Sequence, residues 1–381
     1  MFFAIMLACQ QDILSEYQKS LAPVYETITK APPNWKPDIM VRLNYNKISE
    51  ILKPILQASI GKGKFTYSLL GNPIQININN QIKGLKISNA KNNTLKLKID
   101  LEGFSKWKAL GRTSEIPYQG SVSLRIKLLF QDDQVKVKIL NVSSVDIAVN
   151  NNMIDLSKPF QSWIRDELKK QKPYSVLEVE LEQLPLLDFR VTSSKNAAHV
   201  ESISKYNHGQ FLSPSNEPLT RDFQLRVSNG LVDTMLRLGG IELGQPVEGV
   251  YVDPYHLSIW DEELSILVRL WKTEGLMTGM RSYDVQGEYG IANNRVAVRL
   301  DDFTTLEESI GYGKFNPILL IGENFIEKKV LERIRPVFPS SHGAQIQKYR
   351  LEGQLKSIES NDKELSIHGD IVVKEKKKRQ K

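Results

Sequence analysis

The sequence predicts an α+β protein made of two tandem modules, and three observations support this prediction. An apolar pattern at 40–55 begins with the alternation of a strand and continues with the spacing of a helix, and it returns 184 residues later without a gap. Strictly alternating segments follow each copy, as expected for antiparallel sheets with one apolar face. A second helical pattern follows each set of strands. We therefore predict a strand and long helix, an antiparallel sheet, a second helix and a final strand in each module.

The repeat is clearest where the strand passes into the helix. Val41 and Leu43 share one face of the strand, and the apolar residues that follow recur at three- and four-residue spacing, which is typical of one face of a helix. The aligned pairs are Val41 with Leu225, Arg42 with Arg226, Leu43 with Val227, Ile48 with Val232, Ile51 with Met235, and Leu52 with Leu236.

The strands and the second helix are predicted from the same periodicities. Ile74, Ile76 and Ile78 alternate with polar residues, and hairpin turns are predicted at Asp132-Asp133 and at Asn293-Asn294. The residues on the apolar side of the second helix are Phe160, Trp163, Ile164 and Leu168 in the first copy, and Ile326, Val330 and Ile334 in the second.

Composition shifts divide the chain into six parts. Residues 10–38 contain four prolines, which stop helices and stiffen spacers, and residues 193–220 show no sustained periodicity. The predicted parts are a signal or lipobox segment (1–9), a tether (10–38), the first module (39–192), an interdomain connection (193–220), the second module (221–373) and a basic tail (374–381).

The totals fit two globular domains with an anionic partner. The 381 residues include 25% charged and 41% hydrophobic residues, which is typical of a folded chain long enough for two domains. The net charge of +7 favours nucleic acid or an anionic membrane surface, although it is spread thinly. No segment has the ~20 consecutive apolar residues of a membrane-spanning helix.

The single cysteine, Cys9, follows the apolar run at 1–8. Met6, Leu7 and Ala8 before it resemble the end of a bacterial lipoprotein signal, which implies lipidation of Cys9 and attachment to the membrane at the N-terminus. Leu7 stands where a small residue is more usual, and the segment lacks a basic start. The alternative is an ordinary buried N-terminal helix with an inert thiol.

The duplicated order of elements over 40–373 resembles the tubular lipid-binding superfamily, which includes the bactericidal/permeability-increasing proteins. The resemblance implies that each highly twisted antiparallel sheet wraps around its long helix and leaves an apolar tunnel for acyl chains. It also implies an elongated, pseudo-symmetric molecule. The expected cavity-lining, lipid-binding residues are Ile48, Ile51, Leu52 and Ile55 in the first module and Val232, Met235 and Leu236 in the second. Alternatively, these are ordinary residues of a filled core.

The sequence shows no constellation that indicates an enzyme. The five histidines are scattered, no two lie at i,i+4 on a helix, and no Gly-x-Ser-x-Gly elbow is present. We therefore expect no catalytic residues, no metal and no cofactor. The lysines alternate along strands without interleaved aromatic residues, so we expect no nucleic-acid partner.

The resulting hypothesis is a lipid-binding and lipid-transferring lipoprotein on the periplasmic side of a bacterial cell envelope. The alternative is a structural or scaffolding envelope lipoprotein of the same fold, with solidly packed cores. Trp260, beside a predicted hairpin turn, would either touch a membrane interface or cover a core edge.

Overall fold

The computed structural model describes residues 2–29, 36–69, 71–90, 94–109, 112–131, 134–149, 155–178, 186–204, 206, 212–213, 215–245, 249–260, 263–273, 279–309, 343–346 and 349–375. These residues form an α+β structure that is mostly curled antiparallel sheet, with four helices and three sheets among them. The elements are labelled in chain order.

The residues predicted as the first module form the six-stranded sheet β2 to β7, in which neighbours in sequence are neighbours in the sheet. Its strands are β2 (Lys62–Leu69), β3 (Asn72–Ala90), β4 (Thr94–Ala109), β5 (Arg112–Gln131), β6 (Gln134–Ile147) and β7 (Tyr174–Glu178). Two helices, α2 (Tyr45–Ile60) and α3 (Ser157–Lys169), pack against the apolar side of this sheet in one hydrophobic core. Phe160, Ile164 and Leu168 of α3 are fully buried, as their spacing predicts.

The described residues of the predicted second module include a four-stranded antiparallel sheet and helix α4 (Asn229–Leu243). Its strands are β11 (Val250–Trp260), β12 (Glu263–Lys272), β13 (Gly279–Ala292) and β14 (Arg295–Ser309). The turn between β13 and β14 lies at Asn293-Asn294, as predicted, and both asparagines have positive φ (52° and 61°). Two positive φ values are what a two-residue type I′ hairpin requires. The predicted helix with Ile326, Val330 and Ile334 lies outside the described residues.

A seven-stranded central sheet contains strands from both halves of the chain, in the order β15-β16-β17-β10-β1-β9-β8. Its strands are β1 (Ile39–Asn44), β8 (Leu186–Ser193), β9 (Ala197–Ser204), β10 (Phe223–Ser228), β15 (Gly343–Ile346), β16 (Tyr349–Ser360) and β17 (Glu364–Glu375). Strands β1 and β10 pair antiparallel, with Val41 directly opposite Leu225. These are two residues that the sequence repeat aligns with each other.

Both copies of the repeat pass from strand to helix at the same position. Helix α2 starts after Asn44, whose side chain accepts a hydrogen bond from the N–H of Asn46. Helix α4 starts after Ser228, whose Oγ accepts from the N–H of Leu231. Asparagine and serine are preferred at this position because they satisfy N–H groups that the first turn leaves unpaired.

Strand β9 lies inside the segment 193–220, which is predicted to be an interdomain connection because it shows no sustained periodicity. All eight of its residues are buried. A strand that is covered on both faces need not alternate apolar with polar residues, so the periodicity that identifies half-buried strands is missing.

The N-terminal residues 2–29 form a helix, which is the alternative given above, within a region whose prolines predicted a stiffened tether. Helix α1 (Phe2–Thr29) continues through Pro23. Tyr17 and Leu21 of α1 pack on Trp271 of β12, and the Tyr17 ring stacks on that of Tyr251 at 4.5 Å between centroids. Because this helix buries aromatic and aliphatic contacts on the second module, packing outweighs the loss of one helical hydrogen bond at the proline. Within the described residues, no helix is long and apolar enough to cross a membrane.

Candidate functional site

The predicted lining residues of the first module lie together on the buried face of α2. Ile48, Ile51, Leu52 and Ile55 are 0–4% exposed and belong to the core between α2, α3 and the sheet. A side chain that lines an empty tunnel has surface that no neighbouring atom covers. Because these four side chains have almost none, they contact neighbouring side chains rather than an open cavity. Their assignment to lipid binding stays a prediction.

The corresponding residues of α4 are less completely covered. Val232 and Leu236 are buried in the core of the second module, whereas Met235 packs against this core and stays partly exposed. Methionine adapts to irregular neighbours because its side chain is unbranched and polarisable. Of the seven predicted residues, Met235 is the one that remains partly accessible.

Sequence reasoning missed a group of polar side chains beside the first core. Strand β2 pairs with β3 as far as Lys62 opposite Asn79, and β3 then continues to Ala90. The side chain of Gln57 on α2 takes over from β2 at this point. Its Nε2 donates to the carbonyl of Asn80 at 2.7 Å, and its Oε1 accepts from the N–H of Ile82 at 2.8 Å. One side-chain amide thus replaces a strand partner.

Asn80 is the second member of this group and faces inward. Its side-chain amide donates to the carbonyl of Ile60 at the end of α2, and its backbone N–H donates to the carbonyl of Gly61 at 2.6 Å. The Asn80 Oδ1 accepts a hydrogen bond from the hydroxyl of Tyr118 on β5. These bonds fix the end of α2 to the sheet.

Tyr118 reaches Asn80 across Gly103, which lies opposite both residues on β4. A Cβ on Gly103 would stand 2.2 Å from the carbonyl oxygen of Asn79 and 3.0 Å from the Tyr118 hydroxyl, so glycine is needed here. Burial raises the pKa of Tyr118, and the phenol therefore stays protonated and able to donate. We call Gln57, Asn80, Gly103 and Tyr118 the latch.

A cleft of about 980 Å³ lies directly against the latch. It is lined by Lys53 and Gln57 of α2, by 79–82 of β3, by 102–104 of β4 and by 117–119 of β5. Polar side chains and the apolar surfaces of Ile82, Phe104 and Tyr118 meet in it. This cleft adjoins the place where one hydrogen-bonded side chain, rather than a paired strand, closes the gap between α2 and the sheet.

A signal for Asn80 was present in the sequence. Ile74, Ile76, Ile78 and Ile82 take inward positions of β3, and Asn80 interrupts this aliphatic series at an inward position. A buried amide among isoleucines is costly unless it is hydrogen-bonded, so its presence indicates a specific partner. Gln57 gave no such signal because it lies at the edge of the apolar face of α2.

A second polar group lies in the central sheet, which contains strands from both halves of the chain. Arg42 Nη1 donates to Gln224 Oε1 at 2.6 Å, and its Nη2 donates to the carbonyl of Glu217. Arg226, which the repeat aligns with Arg42, donates to the carbonyl of Ser213 at 2.6 Å. The two repeat-related arginines therefore each bind the backbone of the segment 212–221.

His199 is buried beside these two arginines. Burial, followed by the positive charges of Arg42 and Arg226, lowers the pKa of His199 from 6.5 to about 4. Its Nε2 lies 3.2 Å from Ser194 Oγ. Near neutral pH this histidine is therefore uncharged. The described residues contain no group of three or more His, Cys, Asp or Glu side chains that could hold a metal ion.

Two further predicted residues have separate positions. Cys9 lies within the bounds of α1, and its lipidation stays a prediction. Trp260 ends β11 and is 43% exposed, with its indole N–H donating to Glu263 Oε2 at 3.1 Å. The exposed indole is therefore held by the first residue of the following strand.

Comparisons with known proteins find similarity in structure only. The chain is similar to the crystal structure of a lipopolysaccharide binding protein, with 12% identity and a TM-score of 0.40 over 89% of this chain and 99% of that chain. It is also similar to P47 of Clostridium botulinum E1 (12% identity, TM-score 0.43, 88% and 99%) and of Clostridium botulinum A2 (12% identity, TM-score 0.42, 88% and 97%). No protein-family model matches the sequence, and no curated protein matches it.

Proposed function

We propose that this protein binds lipids through their acyl chains, between helix α2 and the curled sheet of its first module, and transfers them between membranes of a bacterial envelope. The protein consists of two pseudo-symmetric modules. It acts from the periplasmic side and is attached to the membrane by a lipid on Cys9. Val41 lying opposite Leu225 supports the symmetry. The element order that resembles the tubular lipid-binding superfamily supports the ligand class.

The observation that carries the proposal is the latch beside the cleft. The core behind it is aliphatic over strands of up to 20 residues, and each buried methylene of a ligand contributes about 0.8 kcal/mol. Elsewhere along β2 and β3 a continuous ladder closes the sheet, but at Asn80 and Ile82 the closure depends on Gln57. The two hydrogen bonds of Gln57 contribute about 2 kcal/mol net, and the two that Asn80 donates to Ile60 and Gly61 contribute about as much again, so the latch holds α2 with fewer hydrogen bonds than a strand ladder would.

An acyl chain would enter by displacing α2 from the sheet at the latch. Ile51, Leu52 and Ile55 would then exchange their contacts with the sheet for contacts with the ligand. The polar cleft would hold the headgroup, with Lys53 beside an anionic group and Gln57 available as a donor. The interior stays dry in both states, because either side chains or the acyl chain fill it.

The second candidate is a structural envelope protein whose cores stay permanently filled. The near-complete burial of Ile48, Ile51, Leu52 and Ile55 favours this candidate. Both candidates share the fold, and they differ in whether the contact between α2 and the sheet opens.

The test combines bound-lipid analysis with a measurement of uptake. We expect native mass spectrometry of the protein from a bacterial host to show a bound phospholipid mass. We expect Gln57→Ala to take up a pyrene-labelled phosphatidylcholine faster than the wild type, by about tenfold, because two hydrogen bonds of the closed state are lost. Gln75→Ala is the matched control, since Gln75 is an exposed glutamine on β3 outside the cleft.

The outcomes separate the two candidates. A protein that carries no lipid and takes up none, with or without the Gln57 substitution, would support the structural candidate. Lipid uptake at the same rate in wild type and Gln57→Ala would retain lipid binding but exclude the latch as the route.

A further inference from the structure

Six cationic side chains lie on the outer face of the first-module sheet, on four adjacent strands. All six are exposed, whereas their inward neighbours Leu97, Leu124 and Val137 are buried in the core. The six are Lys86 on β3, Lys96 and Lys98 on β4, Arg125 and Lys127 on β5, and Lys138 on β6. We call this surface the cationic face.

The cations of this face stand directly opposite one another across the strands. The opposed pairs are Lys86 with Lys98, Lys96 with Arg125, and Lys127 with Lys138. Like charges that face each other across an antiparallel pair destabilise the sheet. Lys98 lies 3.6 Å from Asp100, and within the described residues the other five have no ion-pair partner. The repulsion is therefore largely uncompensated within this part of the chain.

The other end of the same outer face is arranged differently. Lys106 on β4 stands opposite Glu115 on β5, and their Nζ and Oε1 atoms are 2.8 Å apart. Lys83 likewise forms an ion pair with Glu102. Opposite charges thus face each other at one end of the sheet and like charges at the other. Placing like charges opposite one another lowers the stability of the sheet. We would not expect this arrangement on a surface that contacts only solvent.

We propose that the cationic face docks on the surface of an anionic lipid bilayer. Four strands at 4.7–4.9 Å spacing give the face a width of about 15 Å, which suits a broad anionic surface rather than a single small ion. Each Lys or Arg near an anionic membrane surface adds attraction, and the attraction decreases with salt.

An aliphatic side chain accompanies the cations. Leu140 is 43% exposed and lies at an irregularity of the β5–β6 ladder, where Ile126 pairs with Ile139 and Arg125 pairs with Asn141. As the extra residue on β6, Leu140 projects to the solvent side beside Lys138. It can insert among lipid headgroups while the lysines bind phosphates. Nucleic acid fits this face less well, because the face lacks the exposed aromatic rings on which bases stack, within the described strands.

The test is co-sedimentation of the whole protein with vesicles, with Cys9→Ser in every sample so that no lipid on Cys9 contributes to binding. We expect the wild type to bind phosphatidylcholine vesicles that contain phosphatidylglycerol, to bind pure phosphatidylcholine weakly, and to dissociate as salt is raised. We expect the combined variant Lys96→Gln, Arg125→Gln and Lys127→Gln to lose about a hundredfold in affinity for the anionic vesicles. The control with the same net charge is Lys158→Gln, Lys172→Gln and Lys356→Gln, all exposed elsewhere.

The stability of the variant gives an independent readout. Because the substitutions remove like-charge repulsion, we expect the neutralised protein to unfold at the same or a higher temperature than the wild type. Loss of vesicle binding with unchanged or raised thermal stability would support the proposal. Equal vesicle binding by the wild type, the variant and the control would overturn it, and so would tighter binding to single-stranded DNA than to the anionic vesicles.

This inference stands apart from lipid binding in the interior. The docking assay measures attachment to the bilayer, whereas uptake of pyrene-labelled lipid from detergent solution measures interior binding. A protein that docks but takes up no lipid would retain the cationic face as a docking surface and exclude the proposed function. The reverse result would exclude the docking surface alone.

Discussion

Helices α2 and α4 start at equivalent positions of the repeat but pack in different ways. In α2, the aliphatic residues Ile51, Leu52 and Ile55 are almost completely buried against the sheet. In α4, Met235 stays partly exposed, and the close approach to β11 occurs at Gly240, where a Cβ would stand 2.2 Å from Pro254 Cδ. Helix α2 thus packs through large side chains, whereas α4 combines buried aliphatic side chains with a close approach at a glycine.

This difference shows which part of a repeated pattern determines structure. The strand-to-helix junction needs an extended strand, a polar cap and an apolar face, and both copies have these features. The depth of helix packing depends on residues outside the repeat, such as Pro254 in β11 and Asn80 in β3. Three experiments test this comparison.

The largest effect is expected from removing side-chain volume on α2. Ile55→Ala should lower the free energy of unfolding by about 3 kcal/mol, because a fully buried side chain leaves a cavity. Met235→Ala on α4 should cost about 1 kcal/mol, because this side chain is already partly solvated. Denaturant titration measures both values. Equal losses in the free energy of unfolding would contradict this prediction, because they would mean that the two helices are packed alike.

A smaller effect is expected from adding volume on α4. Gly240→Ala should cost about 2 kcal/mol, because the added methyl group forces the helix away from Pro254. The control is Gly290→Ala on β13, where an added Cβ has no atom within 4 Å. Thermal unfolding of both variants checks the prediction. An unfolding temperature of Gly240→Ala equal to that of the wild type would show that helix α4 can shift without loss of stability.

The smallest effect concerns the central sheet, which the two modules share. The pKa of His199 is lowered in the folded protein, so the unfolded chain binds the proton more strongly. Stability should therefore fall as the pH drops from about 6.5 toward 4, by about 1.5 kcal/mol between pH 6.5 and pH 5. His199→Gln should flatten this dependence.

The probes for the pH experiment are the tryptophans of the two modules. Trp163 packs in the first core, and Trp271 is buried in the cluster beneath α1. If the central sheet couples the modules, both environments should change together in acid. A change confined to one of them would mean that the modules unfold independently.

Much of the fold could be predicted from the sequence because its strands are half-buried. The alternation at Ile74, Ile76 and Ile78 and the spacing of Phe160, Ile164 and Leu168 identify their elements directly. Strand β9 escaped prediction because Ala197–Ser204 is covered on both faces. A helix at the N-terminus was only the alternative to a tether because proline stops helices, whereas tertiary contacts of Tyr17 and Leu21 stabilise α1 through Pro23.

The candidate site was predictable only in part. The apolar face of α2 follows from periodicity, but the latch depends on which strand ends where. Gln57 gains its role because β2 starts at Lys62 and so leaves Asn80 and Ile82, which pair with β4 on one side, without a partner on the β2 side. The cationic face also depends on how the strands are aligned. Its lysines are visible in the sequence, but the opposition of Lys127 and Lys138 is a matter of register across an irregular ladder.

The pairing of β1 with β10 has a consequence for how such a molecule could have originated. In the register observed, Val41 meets its own repeat counterpart, Leu225. A polypeptide that contained only one copy would expose this strand edge, and two such polypeptides could join through it with a twofold axis at Val41. Fusing the two would turn a homodimer contact into an internal seam without changing its hydrogen bonds.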